Sequence, residues 1–171
     1  TTEVSVISLG GMVTTSSIRV GGDRFDRDIV KHIKNVHNLN IGQQTAERLK
    51  IQIGNVAPDK TIEKMELKGA DAITGLPRRI EIDSVEVREA LKEAVTQIIE
   101  EIKKAIGQTP PEMSSDIIDR GIVMTGGGSM LKGLPKLISK ETNVPVILVE
   151  NPLECVALGA GDAFELFKDM S

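Results

Sequence analysis

Three consecutive glycines, Gly126-Gly127-Gly128, stand between an apolar run, Gly121-Ile122-Val123-Met124, and a segment with helical spacing that opens near Leu131. Strand, glycine turn and helix in that order leave few folds open. Without Cβ atoms, a glycine run lets the main chain lie flat against a ligand. A helix starting just after it offers unpaired N–H groups and the positive end of its dipole. That is a common way to hold a nucleotide, although the same three glycines also make a plain turn. The last third reads strand (Gly121 to Thr125), glycine turn, helix (Leu131 to Glu141), strand (Val144 to Val149) and helix (Leu153 to Lys168). This alternation predicts an α/β layer, with the glycines at the carboxyl end of a strand, where open α/β sheets bind ligands.

Upstream, Glu3 to Leu9 and Met12 to Val20 read as strands joined by a tight turn at Gly10-Gly11. They add antiparallel strands and predict a mixed sheet. Gly21-Gly22-Asp23 then leads into a helix with Phe25, Ile29, Ile33 and Val36 on one face, and Asp23 is its natural N-cap. A second helix spans Gln43 to Ile53, with Ala46, Leu49 and Ile53 inward, and ends near Gly54. Thr61 to Leu67 and Arg79 to Asp83 read as strands flanking turn-rich Lys68-Gly69-Ala70-Asp71 and Gly75-Leu76-Pro77, so the middle reads as an inserted subdomain. Ser84 is expected to cap a long helix carrying Val87, Leu91, Ala94, Ile98, Ile102 and Ala105, stopped by Gly107 and Pro110-Pro111.

A chain of 171 residues can bury a real core as one domain or two small ones. A net charge of −4 and the absence of Trp and Tyr argue against a nucleic-acid partner, which wants a basic face or stacking platforms. No apolar run reaches transmembrane length, and no signal-peptide pattern is present. Cys155 is the single cysteine, which excludes an internal disulfide framework and fits a reducing cytoplasm. It has no neighbouring His and reads as a buried small hydrophobe. His32 and His37 lie without a metal-spaced cluster and read as solvent-side. The chain opens Thr1-Thr2-Glu3-Val4 without a methionine, directly into strand-like sequence, as a piece of a larger protein would.

Two further candidate sites accompany the glycine run. Glu47, Lys50 and Gly54 fall at i, i+3 and i+7, on one face of a helix. A carboxylate there accepts hydrogen bonds from a ribose diol, and an ammonium one turn on meets hydroxyl or phosphate oxygens. The plainer reading, an exposed Glu–Lys pair, is worth only about 0.2–0.5 kcal/mol. Gly21-Gly22-Asp23 combines a permissive backbone with a helix start, suited to phosphate or ribose oxygens or simply to a strand-to-helix turn. Leu131, just past the glycines, fits either the core or an apolar wall beside a base. A phosphate loop ending in Gly-Lys-Ser/Thr is absent, and no catalytic triad or carboxylate pair is visible.

In this order the pieces resemble one family. Thr1-Thr2-Glu3-Val4-Ser5-Val6-Ile7-Ser8-Leu9-Gly10-Gly11, Val20-Gly21-Gly22-Asp23-Arg24-Phe25-Asp26, Thr45-Ala46-Glu47-Arg48-Leu49-Lys50, Thr125-Gly126-Gly127-Gly128 and Asn151-Pro152-Leu153-Glu154-Cys155-Val156-Ala157 resemble the second half of the bacterial actin homologue MreB and its close paralogues. The resemblance implies the actin-like ATPase fold. Residues 1–22 and 97–171 would form a ribonuclease-H-like subdomain, and residues 23–96 a smaller α+β insertion. It implies ATP or ADP with Mg²⁺ in a cleft between two such halves, and filaments at the inner face of the plasma membrane that guide the cell-wall elongation machinery and maintain rod shape. Gly126, Gly127 and Gly128 would then border the adenosine, with Leu131 close to the base. Glu47 and Lys50 would face ribose and adenine, Gly21 and Gly22 would lie beneath sugar and phosphates, and Thr1 would approach the terminal phosphate and the attacking water.

The resemblance also marks what does not occur in these residues. The family's Asp-Ile-Gly-Gly-Gly run before Thr1, its first phosphate loop, its water-positioning acid and its membrane-binding elements are expected upstream. Phosphoryl transfer needs metal, phosphate cradle and positioned nucleophile together, so these residues alone are expected to bind nucleotide weakly and not to hydrolyse ATP. Other users of the fold are a heat-shock chaperone ATPase and a sugar kinase. A chaperone should continue into a substrate-binding domain, and a sugar kinase should carry a sugar-binding aspartate that the sequence does not identify. A nucleotide-independent interaction module is the third possibility.

Overall fold

The computed structural model describes residues 1–9, 11–160 and 162. The chain opens with β1 (Thr2–Ser8) and β2 (Gly11–Ile18), an antiparallel hairpin whose register shifts between Val6 and Ile7. Leu9 turns with φ 50°; of the expected Gly10-Gly11 turn, Gly11 already belongs to β2 and Gly10 lies outside the described residues. Next come α1 (Gly22–His37), the short β3 (Leu39–Asn40), α2 (Gln43–Ile53), β4 (Lys64–Asp71) and β5 (Pro77–Asp83). The strands β3, β4 and β5 form one antiparallel sheet. Beyond it run α3 (Ser84–Gly107), α4 (Pro111–Arg120), β6 (Ile122–Met124), a 3₁₀ turn (Gly127–Met130), α5 (Leu134–Thr142) and β7 (Val146–Leu148), with β6 and β7 parallel. Antiparallel and parallel pairing are therefore both present, in separate ladders.

One apolar cluster joins these layers. Phe25, Ile29 and Ile33 of α1 and Ala46, Leu49 and Ile53 of α2 are buried, as their spacing predicts. So are all six apolar positions expected on α3, from Val87 to Ala105. The cluster continues through Leu131, Leu134 and Ile138. Val36 is the exception on α1, exposed in the last turn, while the adjoining Leu39 is fully buried.

Several local expectations are corrected. Gly21, not Asp23, caps α1, because extended backbone at Gly21 starts the helix two residues early and leaves Asp23 inside the first turn. Asp83, not Ser84, caps α3: its carboxylate accepts from the Glu86 amide at 2.9 Å. Ser84 is buried, and its hydroxyl accepts instead from the Glu63 amide at 3.2 Å. Lys68-Gly69-Ala70-Asp71 is strand rather than turn. Gly69 is required there by close approach, since a Cβ would overlap the Asn40 main-chain carbonyl oxygen and lie 2.9 Å from the Leu39 side chain. Pro111 follows the stop at Gly107 but also starts α4, using proline's fitness for the first helical turn.

The helix after the glycines begins at Leu134, capped by Gly133 at φ 81°, because residues 127–130 take the tighter 3₁₀ turn first. Cys155 is only partly buried, its thiol donating to the Asn151 carbonyl at 3.3 Å. His32 and His37 are not solvent-side either; both ring Nε2 atoms meet Glu86 Oε1, at 3.2 and 2.5 Å. Residues 155–160 are helical, while the remainder of the expected last helix, towards Lys168, lies outside the described residues.

Candidate functional site

Five stretches of chain close on one cleft of about 880 Å³, within the size range of small-molecule sites. Thr1, Gly21, Gly22, Glu47, Lys50, Gly127, Gly128 and Leu131 all line it. Gly126 does not. It sits one residue behind, at φ 83°, its amide donating to the Pro152 carbonyl at 2.7 Å and its carbonyl accepting from the Ser129 hydroxyl at 2.6 Å. Its place is to turn the chain so that Gly127 and Gly128 face the cleft.

The wall around Thr1 is built by main-chain contact. Thr2 Oγ1 donates to the Val20 carbonyl at 2.7 Å, tying the first strand to the end of the hairpin. A Cβ on Gly21 would lie 2.8 Å from the Thr1 nitrogen, so only glycine lets these segments meet. No side chain caps α1. The helix thus brings its first amides and positive dipole end to the cleft, a setting that favours an anion.

Across from it stands α2. Glu47 is exposed and lines the cleft. Lys50 is mostly buried, and its ammonium pairs with Asp26 Oδ1 at 2.7 Å rather than with Glu47. Asp26, from α1, is 4% exposed, so the pair lies under the cleft surface. Lys50 Nζ also reaches the Gly22 carbonyl at 3.5 Å. The simple exposed Glu–Lys helix pair is therefore not what forms. Leu131 is 7% exposed, belongs to the core cluster and still presents an edge to the cleft.

Sequence reasoning missed Asp26, the partner on which Lys50 depends. The motif Gly-Gly-Asp-Arg-Phe-Asp contained it, but a carboxylate four residues into an amphipathic helix reads as surface. It missed Arg19 and Arg27 too, both exposed and lining the cleft. Arg24 lines it as well, but its guanidinium is taken by Asp28 at 2.8 Å, which holds the arginine above its ordinary pKa. Of the five cations in the lining, Arg24, Lys50 and Lys132 are paired with Asp28, Asp26 and Glu63, while Arg19 and Arg27 make no ion pair among the described residues, a rim suited to an anion. The bare floor at Gly127 and Gly128, the apolar edge of Leu131 and this cationic rim fit a nucleotide.

The full chain, residues 1–171, matches the family model described as MreB/Mbl protein. The chain belongs to that family. It is 48% identical over 161 residues to the cell shape-determining protein Mbl of Bacillus subtilis (strain 168), an alignment covering 94% of this chain and 48% of that protein. It is 45% identical over 166 residues to the cell shape-determining protein MreB of Escherichia coli (strain K12), covering 97% and 48%. The chain spans about half the length of the curated relatives it matches. Among solved structures, MreB 5 of Spiroplasma citri bound to AMPPNP superposes with a TM-score of 0.92 at 33% identity, over 98% of this chain and 50% of that one. The MamK double helical filament, at 22% identity and a TM-score of 0.72 over 88% of this chain and 47% of that one, shares the fold. An MreB/Mbl member with these neighbours has the actin-like ATPase fold, α/β in class.

Proposed function

We propose that the chain forms the adenosine-side wall of the nucleotide cleft in an ATP-binding, filament-forming bacterial cytoskeletal protein that maintains rod shape by organising cell-wall synthesis. The observation that carries this reading is the convergence of Gly21-Gly22, Glu47 with Lys50, and Gly127-Gly128 with Leu131 on one cleft from segments far apart in sequence. Support comes from relatives named cell shape-determining proteins and from MreB 5 structures bound to AMPPNP and to ADP. The MreB/Mbl match favours this reading over a chaperone ATPase or a sugar kinase.

Each residue then has a role its surroundings suit. Leu131 offers apolar surface to the base. Glu47 accepts hydrogen bonds from ribose hydroxyls, Lys50 donates to ribose or adenine, and Gly21 and Gly22 let main chain pass beneath sugar and phosphates. Thr1 presents a hydroxyl towards the terminal phosphate and the attacking water. Mg²⁺, when bound with the nucleotide, neutralises phosphate charge. Its ligands are assigned mainly to the other half of the cleft, as part of the same reading. ATP turnover is accordingly assigned to the complete protein, and these residues alone are expected to give none.

The division into residues 1–22 with 97–171 and residues 23–96 is part of the same reading, supported by the confinement of the β3–β4–β5 sheet to the second unit. So are homopolymer formation, contact with the wall-elongation machinery, and a place in the cytoplasm at the inner membrane face. No helix of the described residues is long and apolar enough to cross a membrane, and the membrane contact is assigned to the other half. The test is sedimentation of the full-length protein with ATP–Mg²⁺ and without nucleotide. Nucleotide-dependent pelleting, weakened by Glu47→Ala, is expected; a protein that binds ATP and stays monomeric under all conditions would overturn the filament reading.

A further inference from the structure

The cleft contains a lysine whose position is set before any ligand arrives. Lys50 carries a long, flexible stem, the kind of side chain that pays a large rotamer entropy on being fixed. Here its head lies 2.7 Å from Asp26 Oδ1 and 3.5 Å from the Gly22 carbonyl, with 14% of its side chain exposed and 5% of that of Asp26. The ammonium is thereby held beside α1 by its charge contact with Asp26 and a long hydrogen bond to the Gly22 carbonyl, and Lys50 lines the cleft. Asp26 itself does not line it. Its neighbours in the helix, Phe25 and Ile29, are core residues. A carboxylate buried there is costly unless paired, and the partner it has found is the lysine of the cleft.

We propose that Asp26 is a positioning residue for nucleotide binding: its buried carboxylate holds the Lys50 ammonium in place against α1, at the cleft wall where a ligand would meet it. The inference rests on the nucleotide reading of the cleft. Fixing a rotamer-rich side chain in advance removes its ordering cost from the binding step. In addition, the pair ties α1 to α2, so the glycine wall at Gly21-Gly22 and the polar wall at Glu47 keep a fixed spacing. Asp26 touches no ligand in this scheme and acts only through Lys50.

The test is a double-mutant cycle in the full-length protein, read as the Kd of a fluorescent ATP analogue. Asp26→Asn keeps the side-chain shape and removes the charge; it is expected to weaken binding roughly three- to tenfold. In a Lys50→Met background the same substitution should change Kd by less than about twofold, because the group it positions is gone. An equal loss in both backgrounds would mean a general structural role and would overturn the proposal, as would an unchanged Kd in Asp26→Asn alone.

Should a variant not fold, the unmodified protein still decides through the rate of acylation of Lys50 by an amine-reactive reagent. Without nucleotide, Lys50 is expected to react at least tenfold more slowly than Lys92, whose side chain is 70% exposed. Equal rates without nucleotide, with protection appearing only when ATP is added, would show that the ligand and not Asp26 orders Lys50. If the unmodified protein binds no ATP analogue at all, the nucleotide reading itself fails, an outcome distinct from either of these.

Discussion

Replacing Gly133 with alanine should damage the fold far more than replacing Gly75, although the two share a left-handed backbone. Their φ values are 81° and 72°. For an L-residue that conformation costs about 1–2 kcal/mol, offset by about 0.4–1 kcal/mol because alanine restricts the unfolded chain. Gly75→Ala adds nothing else, since its Cβ would meet no atom within 4 Å. A net loss of about 0.5–1 kcal/mol follows. At Gly133 the new Cβ would lie 2.6 Å from the Ala57 amide nitrogen and 2.7 Å from the Ala57 Cβ. Backbone cannot swing away as the end of a long side chain can. An overpacking cost of about 1–3 kcal/mol is added, for a total of about 2–4 kcal/mol.

The strain also falls on a joint of the cleft. The Lys132 main-chain carbonyl accepts from the Val56 amide at 2.9 Å, and Asn55 forms a β-bridge with Lys132, linking the end of α2 to the glycine turn. Gly133→Ala should therefore loosen ATP binding as well as lower the midpoint of urea denaturation, while Gly75→Ala leaves binding unchanged. Equal midpoints for the two variants would refute the packing explanation and leave backbone strain as the sole cause.

Three further outcomes follow from individual contacts. Asp83→Ala removes the side-chain cap of α3 and should cost about 1 kcal/mol in the same denaturation assay. Asp71 is held below the ordinary carboxylate range, first by the Thr74 amide and then by the Ile73 amide, with the Thr74 hydroxyl and Arg78 adding to the effect. Its contribution to stability is therefore full above the unfolded-state value of about 3.9 and is lost as pH falls through the lower folded-state value. Asp71→Asn should flatten stability against pH in that acid range, and an unchanged slope would contradict it. Glu47 makes no ion pair among the described residues, so Glu47→Ala should shift stability by no more than about 0.5 kcal/mol while weakening ATP binding. A large loss of stability would instead make Glu47 a structural residue.

Periodicity made much of this molecule legible. The inward faces of α1, α2 and α3 follow from apolar residues spaced three and four apart, because burial against a shared core imposes that period. The two glycine turns, Gly21-Gly22 and Gly126-Gly127-Gly128, were legible for a related reason: side-chain-free backbone between a strand and a helix is expensive unless something must come close. What escaped were contacts between residues distant in sequence. Nothing local distinguishes Asp26 from Asp28, which stays partly exposed beside Arg24; only the arrival of Lys50 from α2 gives the buried Asp26 its partner. Gly69 looked like a turn because its real neighbours, the Asn40 carbonyl and the Leu39 side chain, are supplied by a two-residue strand. The α4 helix was hidden by reading Pro110-Pro111 only as a stop, when proline is equally suited to a start.

Photoaffinity labelling of the full-length protein with 8-azido-ATP, followed by peptide mapping, tests the nucleotide cleft most directly. Label that ATP competes away should appear in the peptides around Glu47 to Ile51 and Gly127 to Leu131. ATP-competable label confined to peptides outside the cleft, with none on these two segments, would contradict it.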